Sequence, residues 1–422
     1  MPIKSVKIQT PVQRIIIAVV ALLCITGAYF TVKWGFANTI AARTEYREVA
    51  DYAVELAPSD PQTHYTSAVL HERNFLPEDF QKSLSEYEKA VSLSPNDYLL
   101  WLALGKARER IGDAEGAEKA LQKSAALAPN YAQVQWTLGN ILLRRGKTAE
   151  AFVEIRKAVN ADAKYTDPAV STAWQNVDGD ITKMKQFVGN SAQINSTFVL
   201  FLAKQNKFDE AFEIWNLLPE PAKKITYREK GEEFYKQLVS GKKFRLAQTV
   251  SAQISTDELQ KTEVGKISNG DFESGIKTQD AGIFEWKIES GLQPQIAIND
   301  QTKHSGSRSL WMIFNSANGK DFRPLLQTVA VESGRAYEFE AFYKSELKTV
   351  STLRWEITDA ADGKILASTD AVAANSDWTA LRTKFIVPGG TEAVTIQLAR
   401  ANCKTLICPI TGKIWFDDFN LK

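Results

Sequence analysis

One long run of apolar positions stands near the start of the chain. Ile15 to Val32 (IIIAVVALLCITGAYFTV) contains 18 residues and no charge. As a helix that rises about 1.5 Å per residue, this run nearly crosses a bilayer core of about 30 Å. Aromatic side chains, which favour the membrane interface, follow at its far end: Tyr29, Phe30, Trp34 and Phe36. The pattern predicts a transmembrane helix over residues 15–36.

The charges around this run predict its orientation. Three basic residues precede it: Lys4, Lys7 and Arg14. The positive-inside tendency therefore places residues 1–14 in the cytoplasm, and the rest of the chain beyond the inner (cytoplasmic) membrane, as a single-pass protein. The alternative is a secretory signal cleaved near Ala37 or Ala42, but such signals have a shorter apolar core of about 7–15 residues. The length of the run favours the uncleaved anchor.

Between residues 43 and 255 the apolar positions recur with a helical period, and the sequence repeats itself every 34 residues. Pairs separated by that period are Pro95 and Pro129, Leu104 and Leu138, Gly105 and Gly139, Ala117 and Ala151, and Leu121 and Ile155. This period and the unit NDYLLWLALGKARERIGDAEGAEKALQKSAALAP resemble the tetratricopeptide repeat. Residues 64–95 resemble a further unit, in which His71 falls at the glycine position.

The resemblance implies an all-α solenoid of four to six helical hairpins over 43–255. Small residues such as Gly105 and Ala117 allow the two helices of a unit to approach closely, and Leu121 fills the groove to the next unit. Such solenoids usually bind a peptide or a protein on a concave surface, although a plain spacer is the alternative. Candidate partner-binding residues near the first-helix faces are Arg108, Arg144 and Arg145, which as an alternative are ordinary solvated charges.

Near residue 262 the period changes from helical to alternating, and turn residues punctuate short runs. We predict a linker over 256–265 and an all-β domain over 266–422. The predicted strands are 309–315, 325–331, 336–345, 352–359, 379–387, 393–400 and 413–421. This number of strands in about 160 residues suits a two-sheet jelly-roll sandwich. The whole chain is thus predicted to be multidomain: a transmembrane helix, a helical solenoid and a β-sandwich.

Several motifs in this last part occur in a characteristic order: NGDFESG at 269–275, HSGSRSL at 304–310 and IWFDDFNL near the end. Together they resemble carbohydrate-binding modules with the galactose-binding-like fold, particularly families four and nine. The resemblance implies a structural calcium ion that joins the two chain ends. The matching oxygen ligands would be Asp271, Glu273, Asp417 and Asp418. Acidic residues exposed at strand ends are the alternative interpretation.

Glycan binding in such modules depends on aromatic rings that stack on sugar faces and on polar groups that bind hydroxyls. The candidate ligand-binding residues are Trp311, Arg323, Tyr343, Trp355, Gln397 and Arg400. Alternation favours a core position for Tyr343 and Trp355 instead, because each is in phase with apolar neighbours. Trp311 is out of phase with Leu310 and Met312, which predicts that its ring is exposed.

Composition and cysteine content add little to this outline. The 51 basic and 50 acidic residues nearly cancel, so net charge selects neither nucleic acid nor another charged polymer. Only three cysteines occur, and Cys403 and Cys408 are close enough in sequence for a loop-closing disulfide. Two reduced thiols are the alternative, and a C-x4-C pair without a nearby histidine is half a zinc site at most.

No catalytic motif is present in the sequence: the three histidines lack metal-ligand spacing, and there is no phosphate-binding glycine loop and no G-x-S-x-G. We therefore expect a non-enzymatic, membrane-anchored bacterial envelope adaptor, whose repeats bind a protein and whose sandwich binds a glycan. Its expected setting is the assembly or export of a surface polysaccharide. The alternatives are a sandwich that binds protein or is only structural, and an enzyme acting on polysaccharide through an unrecognised site.

Overall fold

The computed structural model describes residues 10–73, 76–256, 263–318, 321–401 and 407–422. It confirms the predicted fold class: an apolar N-terminal helix, a series of helices, and then two antiparallel sheets. The chain divides into two compact units, residues 1–194 and 195–422. The predicted linker falls largely on residues 257–262, which lie outside the described residues.

The first helix, α1 (Pro11–Arg43), contains the apolar run. It begins with a capping box, in which Thr10 and Gln13 satisfy each other's backbone amides. Among the described residues, α1 alone is long and apolar enough to cross a membrane, and its apolar window is not buried against protein. A signal sequence near an N-terminus meets the same criteria.

The rest of the first unit consists of shorter helices that pack in pairs. They are α2 (Arg47–Leu56), α3 (Pro61–Glu72), α4 (Pro77–Leu93), α5 (Tyr98–Arg110), α6 (Ala114–Leu127), α7 (Ala132–Arg144), α8 (Thr148–Ala161), α9 (Thr166–Asn176) and α10 (Ile181–Val188). A Cβ added to Gly105 would lie 2.6 Å from Leu121 Cγ, and one added to Gly139 would lie 2.7 Å from Ile155 Cγ1. Both glycines are thus required by close helix packing, as the 34-residue repeat predicts.

A side chain in each of three successive pairs binds the proline that precedes it by six positions. Trp101 Nε1 donates to the Pro95 carbonyl at 2.8 Å, and Gln135 Nε2 donates to the Pro129 carbonyl at 2.8 Å. His64 Nε2 lies 3.0 Å from the Pro58 carbonyl. The three residue types differ, but each supplies a nitrogen at the same place, so the unit keeps its geometry where the tryptophan is lost.

The position of His71 needs a correction. α3 begins 37 residues before α5, at residues 61 and 98. α4 ends only 34 residues before α6, at residues 93 and 127. The earlier unit is therefore longer by three residues, which lie in the 17-residue α4. With this offset the fully buried Ala68, and not His71, occupies the place of Gly105.

The second unit contains the last helices and both sheets. The helices are α11 (Ala192–Lys204, which spans the boundary), α12 (Phe208–Asn216), α13 (Glu220–Lys224), α14 (Arg228–Ser240) and α15 (Phe244–Ile254). Loops of the sandwich contact the start of α15: Lys242 Nζ donates to the Ala361 carbonyl at 2.6 Å, and the Arg245 amide donates to Glu392 at 3.3 Å. These contacts join α15 to the sandwich within the second unit.

The sandwich contains two five-stranded sheets in which the paired strands are antiparallel. Sheet A has the order β1-β4-β9-β6-β7 and sheet B the order β2-β3-β10-β5-β8. The strands are β1 (Lys287–Ile288), β2 (Gln295–Asn299), β3 (Ser309–Asn318), β4 (Leu325–Ala330), β5 (Ala336–Thr349), β6 (Leu353–Asp359), β7 (Ile365–Ser368), β8 (Asn375–Ile386), β9 (Ala393–Arg400) and β10 (Ile407–Leu421).

Alternate side chains of both sheets meet in a single apolar core. Its centre is aromatic: the Trp355 ring lies 5.3 Å from Phe416 and 4.8 Å from Phe419, between ring centroids. Cys408 is buried and disulfide-bonded, whereas Cys24 is a free, exposed thiol. Cys403, the predicted partner of Cys408, lies outside the described residues.

Candidate functional site

Aromatic side chains gather on the side of sheet B that faces away from the core. We call this surface the aromatic face, and its members come from four neighbouring strands: Trp311 (β3), Trp415 (β10), Phe342 (β5) and Trp378 (β8). Trp311, Trp415 and Phe342 each stand between two residues of the core cluster, and Trp378 is out of phase with the core residues Leu381 and Phe385 of its own strand. The pleat of each strand therefore directs these rings outward.

Strand register brings these side chains into cross-strand contact range. Trp415 lies directly opposite Trp311 on one side and opposite Lys344 on the other. Directly opposed side chains have Cβ atoms about 5 Å apart. Lys413 Nζ lies 5.7 Å from the Trp311 ring centroid. The face thus combines flat apolar surfaces with two ammonium groups.

Two of the three indole nitrogens of this face lack acceptors among the described residues. Within the described ranges, Nε1 of Trp311 and Nε1 of Trp415 are buried without a hydrogen-bond partner. Trp415 is only 6% exposed although it faces away from the core. Buried N–H groups are nearly always paired in folded proteins. In the same part of the structure, Trp355 Nε1 at the centre of the core is also without a partner, so the missing acceptors do not by themselves identify a ligand site.

His304 extends the aromatic face at one end. Its ring stacks on Phe342, with centroids 3.9 Å apart and planes 14° apart, and lies 5.4 Å from the Trp378 ring. Asp418 fixes the ring, because its Oδ2 lies 2.6 Å from His304 Nδ1. Ser305 Oγ donates to the other oxygen of the same carboxylate at 2.7 Å.

The acidic residues predicted to bind calcium hold the turn that carries His304. Asp417 Oδ2 accepts from the amides of His304 and Ser305 at 2.9 and 3.2 Å. Glu273 Oε1 accepts from the amides of Ser307 and Arg308 at 2.6 and 3.0 Å. The opening and closing motifs therefore meet at one turn, as the resemblance implies, through amide donors.

The charges of these carboxylates follow from their surroundings. The hydrogen bond from the Ser307 amide lowers the pKa of Glu273 below its ordinary value. Burial raises the pKa of the fully buried Asp417, against the effect of its amide donors. Asp271 accepts from the Glu273 amide at 3.3 Å.

A cation would have to displace these amides, since N–H groups already point at the carboxylate oxygens. Within the described ranges, no group of three or more His, Cys, Asp or Glu side chains is arranged to hold a metal ion. The present geometry thus fits calcium poorly, and the ion stays a prediction from the resemblance.

Two candidate ligand-binding residues are corrected by the structure. Trp355 is 0% exposed at the centre of the core, and Tyr343 is buried with its hydroxyl accepting from the Ala373 amide at 3.1 Å. Both alternate in phase with inward-facing residues, which is the alternative that the sequence itself favoured. Neither ring can stack on a ligand at the surface.

The other candidates lie at separate places. Trp311 is on the aromatic face, whereas Gln397 points outward from sheet A, between Leu326 and Glu356. Arg323 supports a loop, with its Nε donating to the Pro294 carbonyl at 2.7 Å. Arg400 donates to the Cys408 carbonyl, and burial lowers its pKa. The structure therefore does not bring the six predicted residues together.

The three candidate partner-binding arginines each tie one helix pair to the preceding one. Arg108 of α5 binds Glu88 of α4 at 2.8 Å. Arg144 of α7 binds Glu109 of α5, and Arg145 binds Glu118 of α6. These guanidinium groups stabilise the stacking of the repeats, so a partner would have to compete with internal ion pairs.

Apolar side chains of the first helices are more available for a partner. Leu99 and Tyr131 are exposed large hydrophobic residues, at the starts of α5 and α7. Trp136 on α7 is half-buried, with its ring 5.2 Å from that of Tyr165. We call these four residues the apolar strip.

The sequence interpretation missed most of the aromatic face, although a signal was present. Phe342 and Trp415 are out of phase with the core positions beside them, as Trp311 is, and this is the same argument for an outward ring. His304 carries no such signal, because only the folded turn brings it onto Phe342.

Comparisons with known proteins give partial matches. No protein-family model matches the chain. The peroxisomal targeting signal receptor of Kluyveromyces lactis is 26% identical over 145 residues, which are 34% of this chain and 25% of the receptor. The chain thus covers about a quarter of that receptor's length.

Three solved structures each match less than half of the chain. A MamA RS-1 double mutant is 19% identical with a TM-score of 0.31, covering 37% of this chain and 94% of its own. MamA from residue 41 of Desulfovibrio magneticus RS-1 is 16% identical with a TM-score of 0.28, covering 44% and 92%. A structure described as CBM4 is 18% identical with a TM-score of 0.29, covering 37% and 98%. The assignment of tetratricopeptide-like repeats and a β-sandwich depends on the helices and sheets themselves.

Proposed function

We propose that the protein is a membrane-anchored scaffold of the bacterial cell envelope, whose repeats bind a protein partner and whose sandwich binds a glycan. The bulk of the chain would lie outside the inner membrane, in the assembly or export of a surface polysaccharide. The observation that carries the glycan part is the aromatic face, on which Trp311 and Trp415 stand opposite each other and His304 stacks on Phe342.

The chemistry of the aromatic face suits a sugar chain. The axial C–H groups of a pyranose form an apolar surface that stacks on an aromatic ring, while hydroxyls accept from nearby donors. Trp311 supplies a ring, and Lys344 and Lys413 supply donors beside the tryptophans. Because neighbouring strands are about 4.8 Å apart, a row over four strands spans about 14 Å, enough for about three sugar residues.

The apolar strip supports the partner-binding role of the repeats. Leu99 and Tyr131 expose apolar surface, whereas the predicted arginines are engaged in internal ion pairs. An extended or helical peptide with apolar anchor residues would bury this surface, in the manner of other helical-repeat proteins. Contact with apolar side chains would leave the ion pairs between repeats intact.

We infer a binding role rather than catalysis for the aromatic face. Ser305 Oγ and His304 Nδ1 both bind the carboxylate of Asp418, at 2.7 and 2.6 Å. A nucleophilic serine needs its hydroxyl on the imidazole and the carboxylate behind that imidazole. This cluster has a different arrangement, which suits the positioning of the His304 ring.

Glycan binding is tested with the full chain on an oligosaccharide array, followed by titration calorimetry on the best ligand. We expect Trp311→Ala to weaken binding about tenfold, which is ~1.4 kcal/mol. Two control variants should bind normally: Gln397→Ala on the outer face of sheet A, and Trp136→Ala in the repeats. Normal binding by Trp311→Ala, or a loss with Gln397→Ala, would contradict the assignment. No binding to any glycan would favour a sandwich that binds protein.

Partner binding is tested by cross-linking the full chain in its own membranes, followed by mass spectrometry. We expect one major partner whose capture is reduced by Trp136→Ala and unchanged by Trp311→Ala. The two tryptophan variants thus serve as controls for each other. Equal capture by both variants and the unmodified protein would argue that the repeats are only a spacer.

A further inference from the structure

The helix α1 is longer than a membrane crossing requires. It runs without a break over 33 residues, from Pro11 to Arg43, which corresponds to about 50 Å. The uncharged run from Ile15 to Val32 accounts for about 27 Å of that length. The remaining turns, from Lys33 to Arg43, continue the same helix beyond the apolar run.

The two parts of α1 have different surroundings. Large apolar side chains are exposed along the run and its flanking turns, from Val12 to Phe36. By contrast Ala37 is 0% and Ala41 2% exposed, because the last turns pack on α2 and α3. The exposed surface would be covered by lipid, whereas the end of the helix already belongs to the protein fold.

A hydrogen bond fixes the end of α1 to the first repeat pair. Asn38 Nδ2 donates to Asp60 Oδ2 at 2.9 Å. Asp60 is buried, and its other oxygen caps the N-terminus of α3 by accepting from the Gln62 amide at 3.3 Å. One carboxylate therefore connects the start of the repeat stack to the continuing helix.

We propose that α1 is both the membrane anchor and the first helix of the repeat stack, so that it stays uncleaved and couples the repeats rigidly to the bilayer. This inference rests on the proposed membrane anchoring. A signal peptidase needs an accessible small-x-small site, whereas the two candidate positions, Ala37 and Ala42, both lie inside the continuous helix and Ala37 is fully buried. Close packing against α2 and α3 explains the small size of Ala37 instead.

The intact mass of the full chain, extracted from membranes, tests retention. We expect a mass that includes α1. A protein that begins after Ala37 or Ala42 would overturn the proposal.

Rigid coupling is tested by pulsed electron paramagnetic resonance on the full chain in lipid nanodiscs. One spin label is attached to Cys24, a free thiol in the apolar run, and the other to Tyr52→Cys on the exposed side of α2. We expect one narrow distance distribution in the labelled protein and in its control variant Phe36→Ala. Phe36→Pro should broaden it about twofold, because proline interrupts the helical hydrogen bonds. Equal broad distributions in all three proteins would overturn the proposal.

A pair of substitutions tests the packing where Phe36→Pro fails to fold. A Cβ at Gly35 meets no atom within 4 Å, whereas Ala37 two positions later is fully buried. We expect Ala37→Leu to reduce hydrogen-exchange protection of α3 about tenfold, and Gly35→Leu to leave it unchanged. Equal protection in the two variants would overturn the proposal. If alkaline carbonate releases the uncleaved protein from membranes, only the membrane anchoring is refuted. The rigid coupling of α1 to the repeats is tested separately, because the label distances can also be measured in detergent.

Discussion

The buried pair His64 and Glu86 provides a test of how the first repeat unit is stabilised. His64 Nδ1 lies 2.5 Å from Glu86 Oε2, with both side chains buried, and Lys82 Nζ lies 2.8 Å from the other oxygen. Burial opposes the charge on the imidazole, but the hydrogen bonds to Glu86 and the Pro58 carbonyl outweigh it and raise the pKa of His64 above 6.5. Burial likewise opposes ionisation of Glu86, yet its bonds to His64 and Lys82 lower its pKa below 4.5.

Glu86→Gln keeps the shape and one acceptor but removes the negative charge. A hydrogen bond to a charged group contributes about 1.5–3 kcal/mol, so we expect a loss of about 2 kcal/mol in the local unfolding of α3 and α4. This corresponds to an exchange rate about thirtyfold higher. Glu88→Gln on the same helix is the control, because Glu88 pairs with Arg108 at the surface and should cost less than about 0.5 kcal/mol.

The pH dependence separates a charged pair from a neutral one. A raised His64 pKa gives stability that is complete below 6.5 and is lost as the pH rises through the folded-state value. A lowered Glu86 pKa gives stability that is complete above 4.5 and is lost as the pH falls through the folded-state value. We expect maximal α3 protection between these limits, after correction for intrinsic exchange, with the alkaline loss absent in Glu86→Gln. Equal effects of the two glutamine variants, or a flat pH profile in the unmodified protein, would refute the reasoning.

Three further predictions concern packing and metal binding. Trp355→Ala should destabilise the sandwich by about 3–5 kcal/mol in chemical denaturation, because it empties the core, while the outward Trp311→Ala should cost about 1 kcal/mol or less. Gly139→Ala should lower the stability of the repeats by about 1 kcal/mol, because the new Cβ would lie 2.7 Å from Ile155 Cγ1, and this outweighs the higher helix propensity of alanine. Asn140→Ala on the same helix is the control and should be neutral or stabilising. The unfolding temperature of the sandwich should be equal in calcium and in EDTA, because backbone amides already donate to the carboxylates of Glu273 and Asp417. A higher unfolding temperature in calcium than in EDTA would support the ion that the resemblance implies.

Local patterns were sufficient to predict the repeats. The 34-residue period matched Gly105 with Gly139 and Leu121 with Ile155, and it predicted close helix packing at the glycines. The structure places each glycine against the large residue of its own helix pair. The same argument failed for His71, since three residues were added inside α4 and only the folded helices show where the offset begins.

The ligand-binding residues could not be assembled in the same way. Alternation shows which side of a strand a residue occupies, and this was right for the outward Trp311 and for the core alternative of Trp355. It does not show to which sheet a strand belongs. Gln397 on β9 and Trp311 on β3 therefore looked like members of one site, although the pairing order places them on different sheets.

Strand order also explains why the aromatic face depends on the two ends of the sandwich. Glu273 from the opening motif and Asp417 from the last strand bind one turn, and Asp418 then fixes the His304 ring against Phe342. The shape of the proposed glycan site is thus set by residues more than a hundred positions apart in sequence. Loosening the opening or the closing motif of the sandwich would misplace His304 without changing a tryptophan. Ligand affinity and the stability of the chain ends should therefore change together, whereas the rings on β3 and β10 would keep their register.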